Sequence, residues 1–273
     1  MISEDIKYYL SSVFILPLLP LLYFQGKRLR KEIPTLPEAT RPTGHVSGDG
    51  ETKRVLRLLA IGESTIAGVG VGSHADAFTG IVSKELSKEL NVNIEWNVYA
   101  KSGYTVRNIK QEVLPKIQEN KVDLLFLGVG ANDAFQLNSP GRWIKDIREC
   151  IRILQEDHPN AIIVCLNLPP IKEFPAFSPL MKFITGNLIK WYEQALRRQT
   201  QNINKVYFLY KPIRIREWLE KRPNSQLQYA DFFSDGLHPS QLTHELWAKE
   251  ICRRLLEQKE YKERVESVTA NRT

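Results

Sequence analysis

The chain has 273 residues, 42% hydrophobic and 25% charged, with a formal net charge of +7. That is the composition of a folded domain with one sizeable core, and it excludes a collagen-like, repetitive or largely disordered chain. Three scattered cysteines, Cys150, Cys165 and Cys252, argue against a disulfide framework and fit buried thiols, and without zinc-finger spacing or an RNA-recognition signature the positive excess does not point to nucleic acid.

Residues 1–33 open the chain with an apolar run. Tyr8 to Phe24 carries no charge and sits at the short end of the length a spanning helix needs, with Pro17 and Pro20 inside it. Lys27, Arg28, Arg30 and Lys31 follow directly, a cluster suited to anionic lipid headgroups at about 1 kcal/mol per basic residue. A cleaved signal peptide wants a positive start and a small-residue cleavage site. The Met-Ile-Ser-Glu-Asp start and the Gln25-Gly26-Lys27-Arg28 flank offer neither. The expectation is an uncleaved membrane-anchor helix with the basic side, and so the domain after it, in the cytoplasm; a helix lying in one leaflet is the alternative. Residues 34–53, rich in proline, glycine and polar residues, read as a linker.

From residue 54 to 260 strands and helices alternate. Short apolar runs predict strands at Val55–Ile61, Val92–Ala100, Val122–Val129, Ala161–Leu166 and Val206–Leu209. Helical spacing predicts helices at Ala77–Leu90, Thr105–Gln118 (interrupted by Pro115), Trp143–Gln155, Leu188–Arg198 and His244–Lys259. This order implies an α/β fold with a five-stranded parallel sheet covered on both faces, and residues 261–273 form a charged C-terminal tail. In such sheets ligands bind beyond the carboxyl ends of the strands, and chemistry-bearing residues stand there. Gly62-Glu63-Ser64 follows the first strand: Ser64 is a candidate nucleophile, though a serine there is more often a helix cap. Gly103 follows the second, able to offer its N–H to an oxyanion or to serve as an ordinary turn glycine. Gly130-Ala131-Asn132-Asp133 follows the third, where the Asn132 amide is an oxyanion donor or a turn former.

Asp235 precedes His238 by three residues, a spacing at which the carboxylate can bond the ring N–H, fix its tautomer and stabilise the imidazolium. His244, the nearest competing base, lacks such a carboxylate and is expected to face outward from its helix. Singly, turns and caps explain each signal. Jointly they supply one serine, two further oxyanion donors and an acid–base pair.

This combination resembles the SGNH hydrolase family, the GDSL-like lipases and esterases. Its four motifs are matched in order by Gly62-Glu63-Ser64, Gly103, Gly130-Ala131-Asn132-Asp133 and Asp235-Gly236-Leu237-His238, over roughly Val55 to Leu256. Glu63 departs from the family's usual Asp, and Thr65 from its Leu. The resemblance implies a flavodoxin-like three-layer sandwich and a serine esterase: Ser64 attacks an ester carbonyl, His238 moves the proton and Asp235 orients it. The N–H groups of Ser64 and Gly103 and the Asn132 amide hold the oxyanion, and neither cofactor nor metal is implied. The segment holding Phe174 and Phe177 is unusually apolar for a connection and is a candidate acyl pocket, with core packing beneath a long loop as the bland alternative. A lipid ester such as a lysophospholipid is the leading substrate class. A carbohydrate O-acetyl group, or no catalysis at all in a membrane-tethered module that binds acylated ligands, are the alternatives. The oligomeric state is left open.

Overall fold

Alternate residues of the central strands drain into two separate apolar layers, and this alternation positions everything else. The computed structural model describes residues 4–49, 54–222, 225–258, 262–263 and 265–267. Its strands are β1 (Thr43–Val46), β2 (Val55–Gly62), β3 (Asn93–Ala100), β4 (Leu124–Gly128), β5 (Ile162–Cys165) and β6 (Val206–Phe208), in the order β1-β3-β2-β4-β5-β6. All neighbouring pairs are parallel except β1 with β3. Leu58 and Ala60 of β2, Leu124 and Phe126 of β4, and Ile162 and Val164 of β5 enter one layer. Leu59 and Ile61, Leu125 and Leu127, and Ile163 and Cys165 enter the other. Both faces being apolar, each must be covered by helices.

The helices are α1 (Glu4–Ile15), α2 (Leu19–Glu32), α3 (Phe78–Leu90), α4 (Val106–Asn108), α5 (Ala131–Phe135), α6 (Pro140–Asp157), α7 (Pro179–Thr200), α8 (Ile215–Glu220) and α9 (Gln241–Glu257). Phe78, Val82 and Leu86 of α3 pack with Trp247, Ile251 and Leu255 of α9 in the first layer. Trp143 and Ile147 of α6 pack with Leu188 and Tyr192 of α7 in the second, where the Trp143 and Tyr192 rings stack at 4.4 Å. The fold is therefore the expected three-layer α/β sandwich, with one strand more than expected.

That sixth strand corrects the reading of a spacer over residues 34–49, and residues 50–53 of that reading lie outside the described residues. β1 pairs antiparallel along β3 from Thr43↔Asn97 to Val46↔Ile94. The preceding turn is also tied down, since the Gly70 N–H donates to Pro37 O and the Ser102 N–H to Glu38 Oε1. The expected helix over 105–118 breaks into short α, π and 3-10 turns, with Pro115 in the last. The segment after β5 is less of a loop than expected, because α7 begins at Pro179. Most of the tail expected at 261–273 lies outside the described residues; within the described part, Val265 is buried in the first layer.

The N-terminal helices run from Glu4 to Glu32, long and apolar enough by length and composition to cross a membrane. A 3-10 turn over Leu16–Leu18 separates them where Pro17 and Pro20 remove backbone donors. Several contacts tie them to the domain. Glu4 pairs with Arg198, the Gly141 N–H donates to Asp5 Oδ1 at 2.7 Å, and Tyr8 Oη donates to Leu137 O at 2.6 Å. At the far end Ser178 Oγ donates to Gln25 Oε1 at 2.7 Å.

Candidate active site

Strands β2 and β4 end side by side, with Gly62 opposite Gly128. A Cβ on Gly62 would meet Gly128 O at 2.3 Å, so only glycine allows this approach. The chain then leaves the sheet in a turn, where the Ala67 N–H bonds Glu63 O and the Val69 N–H bonds Ser64 O. No long helix begins here: α3 starts at Phe78, and Ser64 caps nothing. The Ser64 hydroxyl accordingly has no structural duty, and its N–H donates to no protein acceptor among the described residues.

The loop after β3 places Gly103 in a turn at φ +81°, left-handed backbone that favours glycine. Its N–H is also undonated among the described residues, and a Cβ there would meet open space. Glu38 steadies this turn, taking the Ser102 N–H at 2.7 Å and pairing with Lys101 at 3.2 Å.

Past β4, α5 begins at Ala131 and brings Asn132 toward both loops. Its amide is already engaged, for Asn132 Nδ2 donates to Glu63 Oε2 at 2.7 Å and to Tyr104 O at 3.1 Å. Glu63 also accepts the Ala131 and Asn132 N–H groups at 2.7 and 3.0 Å. Burial lifts the Glu63 carboxyl to about 7 against these lowering bonds. Asp133 accepts the Val106 N–H at 2.9 Å and the Asn138 amide at 2.9 Å, which binds this loop to the next.

His238 and Asp235 form the bonded pair expected from their spacing. His238 Nδ1 lies 2.7 Å from Asp235 Oδ2, while Asp235 Oδ1 accepts the N–H groups of Leu237 and His238 at 2.9 and 2.7 Å. The Asp235 side chain is shut off from solvent and that of His238 is 18% exposed. Burial acts to raise the Asp235 carboxyl, and the His238 ring with the two backbone donors outweighs it, holding the carboxyl below its ordinary value. This loop packs on the Ser64 turn, because a Cβ on Gly70 would meet Ser234 Oγ at 2.8 Å. No hydrogen bond joins Ser64 to the His238 ring in this conformation. His244, expected to face outward, is instead fully buried. It accepts the Phe78 N–H through Nδ1, and burial drives it down to about 3.

A cavity of about 70 Å³ opens beside the two loops. Glu63 and Thr65 on either side of Ser64, and Leu237 and Pro239 on either side of His238, contribute to its wall, with Ile66, Leu168, Phe174 and Phe233 making it apolar. Phe177 stands one ring back, edge-on to Phe174 at 5.5 Å and to Phe135 at 5.4 Å. Asn167 adds a polar point: its Oδ1 takes the Trp247 Nε1–H, and its buried Nδ2 has no partner among the described residues. Among the described residues no cluster of His, Cys, Asp and Glu could hold a metal ion. Sequence reasoning noted Glu63 as a departure but missed its hold on Asn132, whose one signal was an acid beside the serine. Glu38 gave no signal, lying in an apparent spacer.

Comparisons with known proteins bear on the fold and the family. A lipolytic protein of the G-D-S-L family from Veillonella parvula shares the fold at TM-score 0.51 and 11% identity, over 74% of this chain and 99% of that one. A lipase from a goat rumen metagenome does so at TM-score 0.54 and 19% identity, over 72% and 95%. An acetylxylan esterase from Geobacillus stearothermophilus gives TM-score 0.51 and 17% identity, over 72% and 93%. A search of the curated proteins finds no match. The model of the GDSL-like Lipase/Acylhydrolase family covers residues 60–246, from within β2 into α9, and the chain belongs to that family.

Proposed function

We propose that the protein hydrolyses a carboxylic ester with Ser64 as nucleophile, His238 as general base and acid, and Asp235 as the group that orients the imidazole. The observation that carries this reading is the Asp235–His238 bond, doubly braced by backbone N–H groups and packed against the Ser64 turn. Asp235 on Nδ1 leaves Nε2 as the nitrogen that can take the serine proton. Ser64 Oγ attacks the carbonyl carbon, His238 receives the proton and returns it to the departing alcohol, and water then releases the acid from the acyl-enzyme. The Ser64 hydroxyl must turn toward His238 as substrate binds, a tightening common when a free site becomes a complex. The undonated N–H groups of Ser64 and Gly103 are ready for the oxyanion; the Asn132 amide joins them when it lets go of Glu63 or Tyr104.

The apolar cavity favours an acyl group over a sugar on this side of the site. A cavity of about 150 Å³ takes a benzene ring, so about 70 Å³ suits an acyl chain of a few carbons unless Phe174 swings aside. A lipid ester is the leading class, with Phe174 forming the pocket wall and Phe177 supporting it. The same size also favours a second reading, a small acyl group on a carbohydrate.

Wild type and variants are assayed on p-nitrophenyl acetate, butyrate, octanoate and laurate. Ser64→Ala abolishes turnover and labelling by a fluorophosphonate while the circular dichroism spectrum is unchanged; residual turnover near the wild-type rate removes the central claim. Phe174→Ala shifts the preference toward octanoate and laurate, and an unaltered ratio removes the acyl-pocket assignment.

A further inference from the structure

A helix on a soluble domain turns its apolar side to the protein and its polar side to water. Up to Phe24 the N-terminal helices instead turn most of their large apolar side chains outward. The side toward the domain recurs at helical spacing through Tyr8, Ser11, Ser12, Ile15, Leu22 and Gln25, all at least half covered, and several of these are polar. The side away from the domain carries Leu10, Val13, Phe14, Tyr23 and Phe24, with Phe14 78% exposed. Only an apolar medium beyond the protein makes sense of this orientation.

The fixed ends decide how the helix meets that medium. Glu4 pairs with Arg198 near the end of α7, and Gln25 is bonded to Ser178, the residue that caps its start. The two helical stretches therefore run antiparallel along α7 for about 30 Å, at 1.5 Å per residue. A spanning helix has its ends on opposite sides of about 30 Å of hydrocarbon. Here the two ends of the apolar run, at Glu4 and Gln25, are both held to one helix of the catalytic domain, and crossing would draw exposed Lys190 and Arg197 of α7 into the bilayer.

We propose that α1 and α2 lie flat in one leaflet of an anionic lipid surface, clamped to α7, as an in-plane foot of the domain and not as a membrane-crossing anchor. Exposed Lys27, Arg30 and Lys31 at the end of α2 meet the headgroups. A second copy of the chain fits less well. The acidic groups at the opposite end, Glu4 and Asp5, are already taken by Arg198 and the Gly141 N–H, so an antiparallel neighbour has no acid there for those three cations. Phe183 of α7, 64% exposed, is a further large apolar side chain left uncovered on the helix that holds the foot. The foot also borders the site: Tyr8 bonds Leu137 just beyond α5, and Gln25 bonds Ser178 just beyond Phe177. From half-open Phe135 the rings of Phe177, Phe174 and Phe233 follow edge to edge down to the cavity. This places the foot beside a route from the lipid surface to the cavity, and it stands independently of the serine chemistry.

The full-length protein is floated with vesicles of phosphatidylcholine, alone or mixed with phosphatidylglycerol. The same is done after Gln25→Cys and Ser178→Cys are joined by a short bis-maleimide. The expected result is flotation with the mixed vesicles that the cross-link leaves unchanged. It falls at least about tenfold for the Lys27, Arg30, Lys31→Gln triple variant, falls likewise for Phe14→Asp, and is unaffected by Ser64→Ala. Loss of flotation on cross-linking shows a helix that must leave α7 to insert and overturns the proposal. So does a soluble dimer that ignores vesicles. Equal flotation with phosphatidylcholine alone overturns the assignment of the basic residues to anionic headgroups.

Discussion

At the residue scale the unexpected part of the site is Glu63. Its carboxyl takes three N–H donors from the Ala131–Asn132 corner, and one of them is the amide that the oxyanion needs. A longer acid than the family's usual one reaches further across the end of the sheet. Burial raises this group from 4.5 to about 7 in the folded chain. Between those values the native state holds a proton that the unfolded chain has lost, so stability falls as pH rises from 4.5 to 7 and then levels. The full effect is about 3 kcal/mol. Thermal unfolding of wild type and Glu63→Gln across this range tests it: the wild type loses stability toward neutral pH, and the variant lacks that loss. The pairing of Asp235 with His238 was legible in sequence because it is local. The burial of His244 was not, because it depends on α3, more than 160 residues earlier, offering the Phe78 N–H.

At the element scale, the strand ends were legible because continuous apolar runs announce strands buried on both faces, and the turns after them carry the chemistry. The point of closest approach was not legible. Gly62 just past one expected strand and Gly128 inside another carry no mark of it in sequence, yet their contact sets where Ser64 leaves the sheet. Gly62→Ala forces a methyl group onto a backbone oxygen, an overpacking worth about 1–3 kcal/mol. The expected outcome is a melting temperature lower by about 2–10 °C. Turnover falls by more than the loss of folded protein explains, since Ser64 lies two residues on; kcat per folded molecule separates the two. The strand β1 was hidden for a different reason. Thr43–Val46 is only half covered and has no apolar run to mark it, and its pairing rests on backbone hydrogen bonds.

At the scale of the whole molecule, the two apolar layers share one sheet, and the cysteines sample both. Cys252 lies in the layer of α3 and α9, and Cys150 and Cys165 in that of α6 and α7. Burial pushes all three thiols up to about 12, so a thiol reagent meets no reactive group in the folded protein. Because each central strand feeds both layers, all three are expected to become reactive together in a single denaturant transition. Ellman's reagent during a urea titration checks this; one thiol appearing before the other two would mean that the layers unfold separately.

The edge strand β1 has a practical consequence for anyone cutting the chain down to its family-matched part. Removing everything before residue 54 would strip the cover from the outer edge of β3, opening it from Ile94 to Val98 while its inner edge stays paired with β2. An open edge of that length recruits strands from neighbouring molecules. A chain shortened there would be prone to self-association for reasons unrelated to lipid, and a cut before residue 34 would keep the border of the sheet closed.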